Sequence, residues 1–328
     1  MKKWTLTMLL TVGALFYGLP QAISQAEEKP DLTFSVLSDL HIQAWDTHSQ
    51  DKFINALNDL NQINSTSDAL ILNGDLTDGR QEDYDKLKKL LDRSSHPQAV
   101  YSNIGNHEFY QAWHGSTRQW SEASFPNGET EKDSIERFLK FNGESEVYYE
   151  KQLQGYSFIF LGSEQYRQSN ADNLEDAYLS QIQLEWLKTV LKKAAASEKP
   201  IFVFLHQPLP NTVSGTTACC VNNRGVIQHE ELNKILSAYP QVILFTGHTH
   251  WELKLPKAFV YNKYLMVNTS SVEQPWTGDA SGAEKPLEPE ASEGLYVEAR
   301  NNSVTIRGRD FNKQNWIPEA HYVITYKK

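Results

Sequence analysis

Five short polar blocks in this 328-residue chain carry residue types that bind metal ions. In order they are Asp39-Leu40-His41, Gly74-Asp75-Leu76-Thr77-Asp78, Gly105-Asn106-His107-Glu108, His206, and Gly247-His248-Thr249-His250. Oxygen and nitrogen donors without a thiolate suit Zn, Mn or Fe and argue against a structural Cys-type zinc site. Asp39 and His41 are two residues apart, and so are His248 and His250. In extended chain such pairs point to the same side. Gly74, Gly105 and Gly247 each stand directly before a candidate ligand, where glycine lets backbone approach an ion closely. The donor set predicts a metal centre with two divalent ions.

Something must bring these blocks together. Each follows a short apolar run: 34–37, 69–72, 99–104, 201–205 and 242–245. Runs of this length and content read as buried strands. Ligands of open α/β sheets gather beyond the carboxyl ends of the strands. Between the runs lie apolar stripes at helical spacing. They are Phe53, Ile54, Leu57 and Leu60; Tyr84, Leu87, Leu90 and Leu91; Leu184, Leu187, Val190 and Leu191, with Ser180 as N-cap; and Leu232, Ile235 and Leu236. Strands alternating with helices predict an α/β fold. Strand-like segments follow at 259–267, 294–298, 303–308 and 322–326. Segments 111–148, 207–225 and 274–293 read as loops, and the first two leave the metal side.

At these blocks the chain resembles the calcineurin-like metallophosphoesterase superfamily, whose pattern runs D-x-H, G-D-x-x-D, G-N-H-[DE], H and G-H-x-H. All five blocks match, in order, over residues 34–250. The resemblance implies a four-layer α/β/β/α sandwich of two mixed sheets, with a dinuclear metal site at the strand C-terminal ends. Residues 27–328 are expected to form one such domain, with the strands after 258 supplying its second sheet. Asp39, His41 and His250 would bind one ion, Asn106, His206 and His248 the other, and Asp75 both. A hydroxide held between the ions would attack the phosphate ester. His107 would assist the leaving oxygen, oriented by Asp78. Glu108 has no role readable from the sequence. The natural metals, Mn, Zn or Fe, are left open.

Plainer readings exist for single residues. Asp39 and Asp78 also read as caps of the helices that follow, and His206 as a core histidine. The conjunction of five blocks favours the site. His48, His96, His229 and His321 belong to no motif. His114 and Arg224 are candidate substrate contacts. The aromatics around Trp113 and Trp120 read as loop core or as a stacking platform.

Residues 1–26 read as a secretory signal, with Lys2 and Lys3, an apolar run from Trp4 to Leu19, and Ser24-Gln25-Ala26 at the cleavage site. The alternative is an uncleaved anchor, but the run falls short of the roughly 20 residues that span a bilayer. The expected destination is extracellular, cell envelope or periplasm. Removing Lys2 and Lys3 takes the formal charge from −10 to −12. An acidic product is a poor nucleic-acid binder, which needs clustered Lys and Arg. Cys219 and Cys220 are adjacent and read as a vicinal disulfide or free thiols, less as ligands. The expected activity is hydrolysis of a phosphodiester, with a phosphomonoesterase as alternative and a non-catalytic scaffold as the reading of another class. The stretch Leu76-Thr77-Asp78 lacks the tyrosine ligand of purple acid phosphatases. The 78 residues after His250 are too few for the extra substrate domain of exported nucleotidases.

Overall fold

The computed structural model describes residues 29–115, 119–217, 225–278 and 284–326. Three parallel strands, β1 (Leu32–Leu37), β2 (Ala69–Asn73) and β3 (Ala99–Asn103), are linked by α1 (Thr47–Ile63) and α2 (Gln81–Arg93). Next come α3 (Glu131–Asn142), β4 (Tyr149–Leu153), β5 (Tyr156–Phe160), α4 (Gln181–Ala195), β6 (Ile201–Phe204), α5 (His229–Leu236) and β7 (Val242–Thr246). The remainder is strands: β8 (Phe259–Asn262), β9 (Tyr264–Asn268), β10 (Trp276–Gly278), β11 (Glu284–Pro286), β12 (Glu293–Arg300), β13 (Ser303–Asp310) and β14 (Asn315–Thr325).

The strands form two six-stranded mixed sheets, ordered β14-β13-β12-β1-β2-β3 and β4-β5-β6-β7-β9-β8, and β10 and β11 form a small ribbon. Strand periodicity sorts the side chains. Ala69 and Ile71 face the second sheet, while Leu70 and Leu72 pack with Phe53, Tyr84 and Leu87 of the helices. Between the sheets Phe34 meets Phe202 and Phe158 edge-on, with ring centroids 4.8 and 5.0 Å apart. The outer face of the second sheet packs on Leu184, Leu187 and Leu191 of α4 and Leu232 of α5. The layers are therefore α/β/β/α.

Two expectations need correction. The strands after residue 258 do not make a sheet of their own. β8 and β9 extend the second sheet beside β7, whereas β12 pairs antiparallel with β1 and completes the first. Segments 111–148 and 274–293 are not wholly loop, because the first contains α3 and the second the paired strands β10 and β11. Thr130 caps that helix in a box with Asp133, and Phe138 is buried against α2's face of the sheet. Neither Asp39 nor Asp78 caps a helix. Asp46 caps α1, and α2 has Arg80 at its N-cap with no side-chain bond. Arg224, Cys219 and Cys220, residues 1–26 and the cleavage site lie outside the described residues.

Candidate metal centre

Asp39, Asp75, Asn106, His206 and His248 each lie within three residues of the carboxyl end of β1, β2, β3, β6 or β7. The chain bends sharply at these points. Asp39, His41, Asp75, His248 and His250 all have positive φ, between 46° and 69°. Non-glycine residues in this region are strained, and the surroundings must hold them there. The adjoining glycines admit close neighbours. A Cβ on Gly105 would lie 2.2 Å from Asp75 Oδ1, and one on Gly247 would lie 2.5 Å from Asp39 Oδ2.

Two donor clusters share Asp75, and His41, Asp78 and His107 form a third grouping beside them. Asp39, His41, Asp75 and His250 bring one ligand atom each within 4.8 Å of one another, and so do Asp75, His206 and His248. Asp75 belongs to both. Asn106 Oδ1 joins the second cluster, 3.0 Å from His248 Nδ1.

Hydrogen bonds fix which ring atoms face inward. His206 Nδ1 donates to the Asn73 carbonyl at 2.8 Å. Its Nε2 is buried, lacks a hydrogen-bond partner, and stands 3.0 Å from Asp75 Oδ2. His250 Nδ1 donates to the Gln274 carbonyl at 3.0 Å. Its Nε2 meets Asp39 Oδ1 at 3.0 Å and His41 Nε2 at 3.2 Å. In the neutral rings these Nε2 atoms are acceptors turned toward carboxylates and another imidazole. Positive charge between them is what makes such packing stable, and a second hydrogen bond that sets the tautomer is the usual support of a ligating histidine. The residues fit two cations.

Electrostatics agree. Burial opposes charge on both carboxyls, yet His206 and His107 beside Asp75, and His250 and His206 beside Asp39, hold them below the usual carboxylate range. Burial would also lower His206, but Asp75 and Asp39 push it up to about 10. Burial and the neighbouring imidazoles push His41 down to about 3 and His248 to about 4. The carboxylates attract cations into a space where protons compete with metal.

His107 and Asp78 stand beside these clusters. His107 Nδ1 donates to Asp78 Oδ1 at 3.0 Å, and its Nε2 is 3.9 Å from Asp75 Oδ2. Burial would lower this imidazole, but Asp75 and the bond to Asp78 push it up to about 9. Gln43 donates to the other oxygen of Asp78. His114 is half-buried and feels the charges of Arg80, Asp78 and His107, so it lies near His107 and not among the ligands. Trp113 is buried and stacks on Phe125 and Trp120, as loop core does, while Trp120 is half exposed.

Two residues escaped the sequence reading. Glu108 is fully buried and accepts four backbone N–H groups, from Asp75 at 3.0 Å, Leu76 at 2.8 Å, Thr77 at 3.0 Å and Gly105 at 2.7 Å. It ties the second block to the third. Its place in the Gly105–Glu108 block was visible, but three of its four partners are 31 to 33 residues away. Glu175 bonds the Asn106 amide from a loop that carries no motif.

The family model of calcineurin-like phosphoesterases matches residues 32–252. No curated protein is detectably similar in sequence. Solved structures share the fold at low identity. A dimetal phosphatase of Danio rerio superposes with TM-score 0.56 at 16% identity, covering 91% of this chain and all of that one. A purple acid phosphatase of yellow lupin (Lupinus luteus) gives 0.59 at 12%, covering 90% of this chain and 54% of that one. GAP50 of Plasmodium, described as an anchor in the inner membrane complex, gives 0.52 at 13%, covering 90% of this chain and 89% of that one.

Proposed function

This chain belongs to the calcineurin-like phosphoesterase family, and we propose that this metal-dependent phosphoester hydrolase prefers diesters. In this reading Asp39, His41 and His250 hold one ion, Asn106, His206 and His248 the other, and Asp75 both. The observation that carries the assignment is the pair of inward-facing Nε2 atoms, on His206 and His250, each 3.0 Å from a carboxylate oxygen. Bound divalent ions supply Lewis acidity toward phosphate oxygens and a nucleophilic water at neutral pH.

His107 does the proton work. Asp78 keeps the Nδ1 proton in place, so Nε2 is the atom free to act. The hydrogen bond to the Asp78 carboxylate favours the protonated ring, which has a proton to give. As the water oxygen bonds to phosphorus and the ester P–O bond breaks, the leaving oxygen takes the Nε2 proton, and His107 becomes neutral with its Nδ1–H still donated to Asp78.

The diester preference rests on charge. Arg167 is paired with Glu175, and Arg80 faces Glu82 at 3.9 Å, so neither is an open partner for a second phosphate charge. A singly charged diester needs less neutralisation than a monoester. The test is kcat/KM for bis-p-nitrophenyl phosphate against p-nitrophenyl phosphate. The diester is expected to be the better substrate, and a strong monoester preference would make the protein a phosphatase.

Export belongs to the same proposal. Its support is the basic start, the apolar run and the small residues before Glu27. N-terminal sequencing of the exported protein should begin near Glu27, and intact Met1 on a membrane-bound product would overturn it. Among the described residues no helix is long and apolar enough to cross a membrane.

A further inference from the structure

Of the ligands proposed above, Asn106 is the one whose side chain can face the ion wrongly. An amide turned by half a rotation presents N–H where a lone pair is needed. Asp39 and Asp75 present oxygen at either end, and His206 and His250 are held by ring bonds to backbone carbonyls, but Asn106 needs another device.

Glu175 supplies it. Its Oε2 accepts Asn106 Nδ2 at 3.0 Å. A carboxylate accepts and does not donate, so it selects the N–H side of the amide. Oδ1 is thereby left facing His248 Nδ1, in the second cluster. A flipped amide would press Oδ1 against the carboxylate and two N–H groups toward the ion. Tyr110 reinforces the choice. Its hydroxyl accepts Asn106 Nδ2 at 3.2 Å and donates to Glu175 Oε2 at 3.2 Å. The Tyr110 ring also lies against His107, tilted by 30° with centroids 3.8 Å apart, so the same carboxylate steadies the neighbour of that imidazole.

Glu175 is itself well held. Tyr166 donates to both its oxygens at 3.0 Å, and Arg167 donates to Oε1. Its backbone carbonyl accepts Gln207 Nε2 at 3.2 Å, beside the ligand His206. The surrounding loop is anchored by Asn173 Nδ2 on the Tyr166 carbonyl and by the Ala177 N–H on Gly225. Nothing in this loop resembles the five blocks.

We propose that Glu175 is a positioning residue that fixes the Asn106 amide, and so sets the affinity of one of the two ion sites. This rests on the two-ion assignment given above. Loss of such an outer partner typically weakens metal binding about 10–100-fold.

The experiment is calorimetric titration of the metal-free protein with Mn²⁺. Wild type should take up two ions, and fewer would overturn the two-ion reading itself. Glu175→Ala should weaken one ion about 10–100-fold and leave the other within about threefold, and Asn106→Ala should weaken the same ion. Unchanged affinities in Glu175→Ala, or equal weakening of both ions, would overturn the positioning role while leaving the two-ion reading intact. Glu175→Gln keeps the shape of the side chain and guards against misfolding of the alanine variant. It should lose affinity for that same ion by about 10-fold, and is judged by the same criterion.

Discussion

His107 holds two properties that mutation can separate. It sits beside the ligands, and its Nδ1 is committed to Asp78 while Nε2 is not. If its task is the leaving oxygen, its value depends on how badly that oxygen needs a proton. On an alkyl phosphodiester His107→Ala should cost about 10²–10⁴-fold in kcat. On bis-p-nitrophenyl phosphate, whose leaving group is stable as an anion, the loss should be far smaller, with both ions retained by elemental analysis. Asp78→Asn should show the same pattern more mildly. Equal losses on both substrates would rule out the leaving-group role. Glu108 is a different case, since it touches backbone only. Glu108→Ala would orphan four buried N–H donors, each costing about 1–3 kcal/mol if left unpaired. With partial relaxation the variant should lose at least about 3 kcal/mol in urea denaturation. A loss below about 1 kcal/mol would show that water or a local shift replaces the carboxylate.

Among the elements, the strand ends carry the candidate ligands and the later strands brace them. Glu293, the first residue of β12, accepts the Leu253 N–H at 2.8 Å and so pins the chain just after His250 to the first sheet. Burial pushes its carboxyl up to about 7. The folded chain then holds this proton more tightly than the unfolded chain does. The resulting stability is complete below the unfolded value, about 4.5, and is lost as pH rises through about 7. Glu293→Gln removes this titration. The stability of wild type relative to the variant should therefore fall between about pH 4.5 and 7, and thermal denaturation at several pH values measures it. A difference constant with pH would contradict the shift. Legibility also differs among elements. The helices α1, α2, α4 and α5 follow their apolar stripes, and Ser180 caps α4 as expected. Helix α3 was hidden because Trp113, Trp120 and Phe125 made its neighbourhood look like one aromatic loop. The capping pair Thr130 and Asp133, with Ile135, Phe138 and Leu139 behind it, was the local signal.

At the scale of the molecule, the five blocks were readable because each pairs a buried strand with a fixed polar ending. Their convergence needs only that β1, β2 and β3 run parallel in one sheet and β6 and β7 in the other. The route by which the chain closes was not readable. Nothing local to β12 says that it pairs with β1, some 260 residues earlier, because antiparallel partners are chosen by long-range packing. Glu175 was invisible for a related reason: its meaning comes from Asn106, 69 residues away. Asp75 is the residue common to the two proposed ion sites. The most direct test is metal content per chain, by elemental analysis, for wild type and Asp75→Ala purified together. Wild type should carry two ions of Mn, Zn or Fe per chain and lose its phosphoester hydrolase activity on chelation. Asp75→Ala, lacking the carboxylate common to both clusters, should lose most of both ions. A wild-type protein free of metal and still active would contradict the account.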